Sequence, residues 1–202
     1  MNNTIIIYSL LSFLILFLCG KVSYKLNLLD HPNKRKIHTN ATAYTGGFAI
    51  SVILLFSIFL FAVSDKNLNI ILSIAFLISI IGLIDDKYNL DVSSKLSLQI
   101  IPIFYLVVFE NLALQQIGDY NYFKVELGSF VIPFTLMCVL LLINAFNYFD
   151  GIDGTLGFTS ISVLIILYFL IPNQNFQLFL ILILIPLAMF LCFNFSLFKL
   201  PK

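Results

Sequence analysis

Amide and carboxylate side chains return at every third position in the stretch Asn144-Ala145-Phe146-Asn147-Tyr148-Phe149-Asp150-Gly151-Ile152-Asp153-Gly154. On a helix that spacing gathers Asn144, Asn147, Asp150 and Asp153 into one polar stripe. Asn144 and Asn147 interrupt an otherwise apolar run, where polar side chains face the interior of a helix bundle or a wet cavity. Gly151 and Gly154 remove bulk beside the acids and let a phosphate or a metal ion approach the backbone closely. A second constellation, Gly82-Leu83-Ile84-Asp85-Asp86-Lys87-Tyr88-Asn89-Leu90-Asp91, sets two carboxylates side by side. Adjacent acids repel each other unless a cation shares them. A hard cation such as Mg²⁺ takes oxygen ligands and keeps several waters, so a few carboxylates and substrate phosphates are enough. Two such clusters on one side of a molecule point to metal-assisted phosphoryl or diphosphate chemistry.

Each cluster also has a plainer reading. Asp85 and Asp86 could be a solvated helix end with Lys87 as their counter-ion. The asparagines could glue neighbouring helices together, which accounts for Asn144 but leaves Asp150 and Asp153 paired without a cation. A third candidate is Leu29-Asp30-His31-Pro32-Asn33-Lys34-Arg35-Lys36-Ile37-His38, followed by Gly46-Gly47. Its basic run attracts anionic lipid heads or nucleotide phosphates, or merely fixes membrane topology. Histidine is the side chain type suited to proton exchange near neutral pH, which makes His31 and His38 candidates, although a loop histidine is usually just solvated.

The composition decides what kind of scaffold holds these residues. Of 202 residues, 60% are hydrophobic and 10% charged, with 22 Phe and no Trp. A soluble domain carries about 25% charged residues. An ordinary soluble globule and a disordered tail are therefore excluded, and a net charge of +1 is no footprint for nucleic acid. Apolar residues run unbroken rather than alternating, which excludes a membrane β-barrel. Cys19, Cys138 and Cys192 all lie in apolar runs and behave as small hydrophobes.

A bilayer core of about 30 Å asks for roughly 17–25 apolar residues per helix. Seven runs approach that length, at 4–20, 48–64, 68–84, 96–109, 130–149, 156–172 and 176–195. The fourth is the shortest and draws on Ser94 and Lys95 by snorkelling. Pro102, Pro133 and Pro186 fall inside spans, where neighbouring helices satisfy the freed carbonyls. Met1–Thr4 lacks a basic region and no small-residue cleavage site follows, so the first run is read as a retained helix. With the N-terminus outside, Lys21, Lys25, Lys34, Arg35, Lys36, Lys87, Lys95, Lys199 and Lys202 fall on the cytoplasmic side, against Lys66 and Lys124 outside. That bias predicts an all-α polytopic membrane protein of about seven spans, N-terminus periplasmic and C-terminus cytoplasmic, forming one domain over 1–202. Asp85, Asp86, Asp150 and Asp153 then share the cytoplasmic face.

The ordered set Asp30-x-Pro32-Asn33-x-Arg35-Lys36-x-His38, Gly46-Gly47, Gly82-x-x-Asp85-Asp86 and Asn144-Ala145-x-Asn147-x-x-Asp150-Gly151-x-Asp153-Gly154 resembles the bacterial polyprenyl-phosphate N-acetylhexosamine-1-phosphate transferases. The resemblance implies an enzyme of the bacterial inner membrane. It would join a UDP-N-acetylhexosamine to undecaprenyl phosphate, release UMP, and start a cell-surface polysaccharide. It implies that Asp85 and Asp86 position or deprotonate the lipid phosphate, and that Asn147, Asp150 and Asp153 shape the metal and nucleotide site. Catalytic residues would be Asp85, Asp86, Asp150 and Asp153. Substrate would be bound by Asn144, Asn147, Lys34, Arg35 and His38. Asp85, Asp150 and Asp153 would ligate Mg²⁺, for which Mn²⁺ could substitute, and a homodimer is compatible with the resemblance. The first loop is more like the branches serving O-antigen, enterobacterial common antigen or teichoic-acid linkage. Ala43 replaces a usual proline and Thr155 a usual leucine.

Leu191-Cys192-Phe193-Asn194-Phe195 is similar to the span before a further catalytic loop of that family, whose aspartate ligates the metal and is followed by a histidine cluster. The 202 residues resemble the N-terminal two-thirds of such an enzyme, so the expectation is that they do not complete the metal site alone. Two alternatives remain: a Mg²⁺-dependent intramembrane prenyltransferase, and an inactive relative that still binds lipid phosphate. The prenyltransferase spacing Asn-Asp-x-x-Asp is not met, because Tyr148 follows Asn147. The alcohol phosphotransferases need Ala-Arg after Asp-Gly, which Ile152-Asp153 breaks. A transporter would place charge at mid-membrane, whereas every carboxylate here is interfacial.

Overall fold

The computed structural model describes residues 2–30, 42–61, 65–120, 123–149 and 154–195. Within these, every apolar run predicted above folds as a helix. The helices are α1 (Asn2–Lys25), α2 (Gly46–Phe61), α3 (Lys66–Tyr88), α4 (Val92–Phe104), α5 (Val131–Phe149), α6 (Thr155–Leu170) and α7 (Gln174–Asn194). A π-helical turn, Tyr105–Phe109, prolongs α4 to a continuous apolar stretch of 18 residues. Among the described residues, five helices are long and apolar enough to cross a membrane: α1, α3, α4 with its π-turn, α5 and α7. The described part of α2, which runs up to the edge of the described residues at Phe61, and the whole of α6 have 16 residues each. At 1.5 Å per residue α6 reaches about 24 Å, short of a hydrocarbon core of about 30 Å. For α6 the reason is local. Pro172 forces its predecessor out of the helical region, and Ile171 is extended at φ −110°, ψ 101°. Large apolar side chains such as Leu10, Phe59 and Phe169 are exposed on the helices, as a lipid solvent requires.

The helix ends carry polar caps. Asp65 Oδ1 accepts from the backbone N–H groups of Asn67 at 2.9 Å and Leu68 at 3.3 Å, opening α3. Asn89 closes α3 in the left-handed conformation, its N–H donating to Asp85 O at 2.7 Å. Two residues later Asp91 opens α4, and Asn173 opens α7 by accepting from Phe176 N at 3.1 Å. α1 runs past its apolar stretch because Lys21 lies over the Phe17 ring, 4.4 Å from its centroid, and Lys25 sits at the negative end of the helix dipole.

α1, α2 and α7 pack together around Tyr8, Leu16, Ala49, Ile53, Leu182 and Phe193. α3 packs on α2, α4 on α3, and α5 on α4. The three prolines meet three fates. Pro133 falls in the first turn of α5, where no intrahelical donor is lost. Pro102 stands just ahead of the π-turn. Pro186 lies inside α7 and cannot donate to Leu182 O, four residues back. The hydroxyl of the fully buried Tyr8 donates to that carbonyl instead, at 2.9 Å. Tyr8→Phe is therefore expected to leave a buried acceptor unmet and to destabilise the chain by about 1–3 kcal/mol. Thermal unfolding in detergent checks this, and an unchanged midpoint would refute it.

Two loops carry strands, which an all-α reading does not contain. β1 (Leu29–Asp30) pairs antiparallel with β2 (Thr42–Ala43) and closes the two ends of the first loop on each other. β3 (Gln116–Tyr120) pairs antiparallel with β4 (Phe123–Glu126), with Asp119 opposite Lys124 and an ion pair of 3.0 Å between them. Near this ribbon, Glu110 accepts from Lys66 Nζ at 2.9 Å and from the Tyr105 hydroxyl at 3.1 Å. Those two hydrogen bonds hold the Glu110 carboxyl below its ordinary range. The Lys66–Glu110 pair also sets the start of α3 beside the end of the π-turn, at one end of the bundle.

Candidate functional site

The other end of the bundle gathers the polar residues. The connection from α3 to α4 is only Asn89-Leu90-Asp91, with a left-handed Asn89 followed by a capping Asp91. Asp91 Oδ2 accepts from Ser94 N at 3.0 Å, Asp91 Oδ1 accepts from Ser94 Oγ at 2.6 Å, and Ser93 Oγ donates to the same carboxylate. These serine hydrogen bonds hold the Asp91 carboxyl well below the usual carboxylate range. Asp91 is thus a helix cap rather than a third acid of the Asp85–Asp86 cluster.

So tight a turn sets the last turn of α3 against the first turn of α4. Lys95 Nζ lies 2.6 Å from Asp85 Oδ2, and both side chains are only 19% exposed. The counter-ion of Asp85 is therefore Lys95. Lys87, the residue that adjacency suggests, lies over the Tyr88 ring instead, 5.4 Å from its centroid. Asp86 stands on the exposed side of the same turn.

One turn beyond Lys95 on α4 is Gln99, 2% exposed within an apolar helix. Asn144 of α5 donates from Nδ2 to Gln99 Oε1 at 3.2 Å and to its own helix at Leu140 O, 2.8 Å. Asn144 thus takes the helix-joining contact that its plainer reading describes. Asn147, one turn on, is exposed. α4 therefore carries a polar line of Asp91, Lys95 and Gln99, and it brings the α3 acids and the α5 asparagines to one end. Lys95 and Gln99 were not among the predicted site residues. Their i, i+4 spacing after the Asp91 cap is the signal that finds them.

α7 and its C-cap residue Phe195 each meet a glycine of the motifs, Gly46 of the first and Gly154 of the third. The Phe190 ring lies against Gly46, and the Phe195 ring against Gly154, so that a Cβ added at either glycine would require the ring to move. Gly154 also has φ +78°, a conformation costly for other residues. Asp150, Asp153, Lys34, Arg35 and His38 lie outside the described residues. Among the described residues no group of three or more His, Cys, Asp or Glu could hold a metal ion. Asp85 and Asp86 supply the hard oxygen donors that suit Mg²⁺, with Lys95 already balancing one of the two charges. Two cavities, of about 410 and 340 Å³, open near the β3–β4 ribbon at the opposite end and take no part in this cluster.

Comparison with known proteins adds a family. A model described as glycosyl transferase family 4 matches residues 68–200, a stretch holding both the Asp85–Asp86 and the Asn144–Gly154 motifs. An undecaprenyl-phosphate alpha-N-acetylglucosaminyl 1-phosphate transferase of Escherichia coli O157:H7 is 33% identical over 71% of this chain and 40% of its own length. The protein of the same name from Yersinia pestis is 30% identical over 78% of this chain and 43% of its own. A probable undecaprenyl-phosphate N-acetylglucosaminyl 1-phosphate transferase of Bacillus subtilis is 27% identical over 78% of this chain and 46% of its own. The chain thus spans less than half the length of these curated relatives. No solved structure matches it. A helical bundle with membrane-length helices, two acid-bearing motifs and a family model over most of their span lead to one statement: the chain belongs to glycosyl transferase family 4.

Proposed function

We propose that this protein transfers N-acetylhexosamine 1-phosphate from a UDP-sugar to undecaprenyl phosphate at the cytoplasmic face of a bacterial inner membrane. The observation that carries the reading is the meeting, across α4, of the α3 acid pair with the α5 asparagines. An oxygen of the lipid phosphate forms a bond to the sugar-bearing β-phosphorus, the bond from that phosphorus to the bridging oxygen breaks, and UMP leaves with the electron pair. Such chemistry needs positioning and charge balance more than covalent help. Asp85 and Asp86 orient the lipid phosphate. Asn144 and Asn147 line the donor, and Lys34, Arg35 and His38 contact its diphosphate. Asp85, Asp150 and Asp153 would hold Mg²⁺ or Mn²⁺, which supplies neutralisation of the charge developing on the phosphates. If all seven helices cross, with the bilayer thinning locally around the shorter ones, a periplasmic N-terminus and a cytoplasmic C-terminus put all these residues on the UMP-releasing side. Two copies could pair in the membrane without altering this arrangement.

The test is UMP release by membranes carrying the protein, given UDP-N-acetylglucosamine, undecaprenyl phosphate and Mg²⁺. Release that needs both lipid and metal, and fails in Asp150→Asn, supports the reading. Binding of undecaprenyl phosphate with no UMP release would identify a lipid-phosphate-binding relative instead. Turnover of an isoprenoid diphosphate would identify a prenyltransferase.

A further inference from the structure

Lys95 and Gln99 face two different helices from one side of α4. Lys95 turns onto Asp85 of α3 at 2.6 Å, although a lysine near a helix end ordinarily extends its ammonium group toward water. Gln99 accepts from Asn144 of α5 at 3.2 Å from a position sealed off from solvent. Asn144 is held from a second direction by Leu140 O, so its amide has one orientation. The Lys95 ammonium group is engaged by a carboxylate, and Gln99 is too buried to touch a substrate. We infer that Lys95 and Gln99 are positioning residues that hold the Asp85–Asp86 pair and the Asn144–Asn147 stripe in one fixed geometry across α4.

The inference deepens the proposed transfer and rests on it for its catalytic consequence, while its geometric content stands by itself. Reacting groups carried on separate helices lose alignment when the contact between them softens, and a misplacement of about 1 Å can cost about 10²-fold in rate. In a soluble protein the packed core could absorb the loss of one such pair. Between membrane helices, whose apolar surfaces pack no better on each other than on lipid, a polar contact carries more of the register.

The experiment uses the full chain in lipid nanodiscs, with Cys19, Cys138 and Cys192 replaced by Ala and spin labels at the exposed positions Tyr88 and Tyr148. These report the distance between the ends of α3 and α5. Lys95→Met and Gln99→Leu are each expected to widen the distance distribution, and Lys95→Arg to restore it. In the unlabelled protein, kcat should fall about 10²-fold while KM for UDP-N-acetylglucosamine stays within about twofold, with Lys95→Arg again recovering. Should Lys95→Met not fold, Lys95→Gln removes the same charge with a polar side chain. An unchanged distribution in both folded variants overturns the inference. So does a loss of kcat without widening, which would make Lys95 a substrate contact, and so does widening with full kcat. If the unsubstituted chain releases no UMP, the transferase reading fails, while the distance measurement still decides the bracing.

Discussion

Asp85→Asn is expected to lower lipid-dependent UMP release by about 10²–10³-fold, the scale of removing one charge-aligned group from a reacting centre. The substitution keeps the side-chain shape and deletes the charge. It thereby removes an oxygen donor suited to Mg²⁺ and leaves the Lys95 ammonium group, 19% exposed, without its carboxylate. Both effects act on the same geometry, so KM for the nucleotide sugar should move far less than kcat. The control lies in the same molecule. Asp119 makes an ion pair of similar length, 3.0 Å to Lys124, but both side chains are more than half exposed on a ribbon at the far end. A solvated pair of that kind contributes about 0–1 kcal/mol. Asp119→Asn should therefore leave turnover within about twofold of the unsubstituted protein. Steady-state UMP release for the two variants, normalised to folded protein, makes the comparison. Equal rates in both would remove Asp85 from the site.

The helices were legible because a membrane makes one demand of sequence, an unbroken apolar run, and local residues end it. Pro172 stopping α6 and Asp65 opening α3 are both visible in the chain. Contacts between helices were not legible in the same way. Adjacency favours Lys87 as the counter-ion of Asp85, yet the left-handed Asn89 and the Asp91 cap swing α4 back so that Lys95 meets it. A lysine ten residues away becomes the nearest cation only once that turn is known. Gln99 was hidden for a related reason. A lone amide in an apolar run is unremarkable until its partner Asn144, 45 residues on, is seen across the helix interface. The carbonyl freed by Pro186 could be anticipated, but its donor, Tyr8, is at the other end of the chain. The strands escaped notice because β1 and β2 are two residues long, and β3 and β4 lie in a loop with no clean alternation.

The C-cap of α7, Phe195, covers the glycine that ends the third motif while carrying none of its chemistry. Gly154 closes the Asn144–Gly154 motif, and the residue after it begins α6. Its φ of +78° turns the chain into that helix, and the Phe195 ring, itself 5.7 Å from the Phe158 ring, covers it. An alanine there must adopt a left-handed conformation at a cost of about 1–2 kcal/mol and must also push the far edge of the Phe195 ring aside. The ring can swing, whereas the backbone of Gly154 cannot change without altering the entry to α6. Gly154→Ala is therefore expected to lower the unfolding midpoint by about 2–8 °C. On the proposed transfer, in which Asp150 and Asp153 serve the site, turnover should fall further than that loss explains, by about 10²-fold. Gly154→Asn should retain more activity than Gly154→Ala, since asparagine tolerates the left-handed region. Adding Phe195→Leu to Gly154→Ala should recover little, because backbone strain dominates over the ring contact. Gly20→Ala provides the reference. It sits within α1 with nothing near its added methyl group, so it should raise stability slightly and leave turnover unchanged. If Gly154→Ala and Gly20→Ala behave alike, the left-handed entry to α6 does not position the acids.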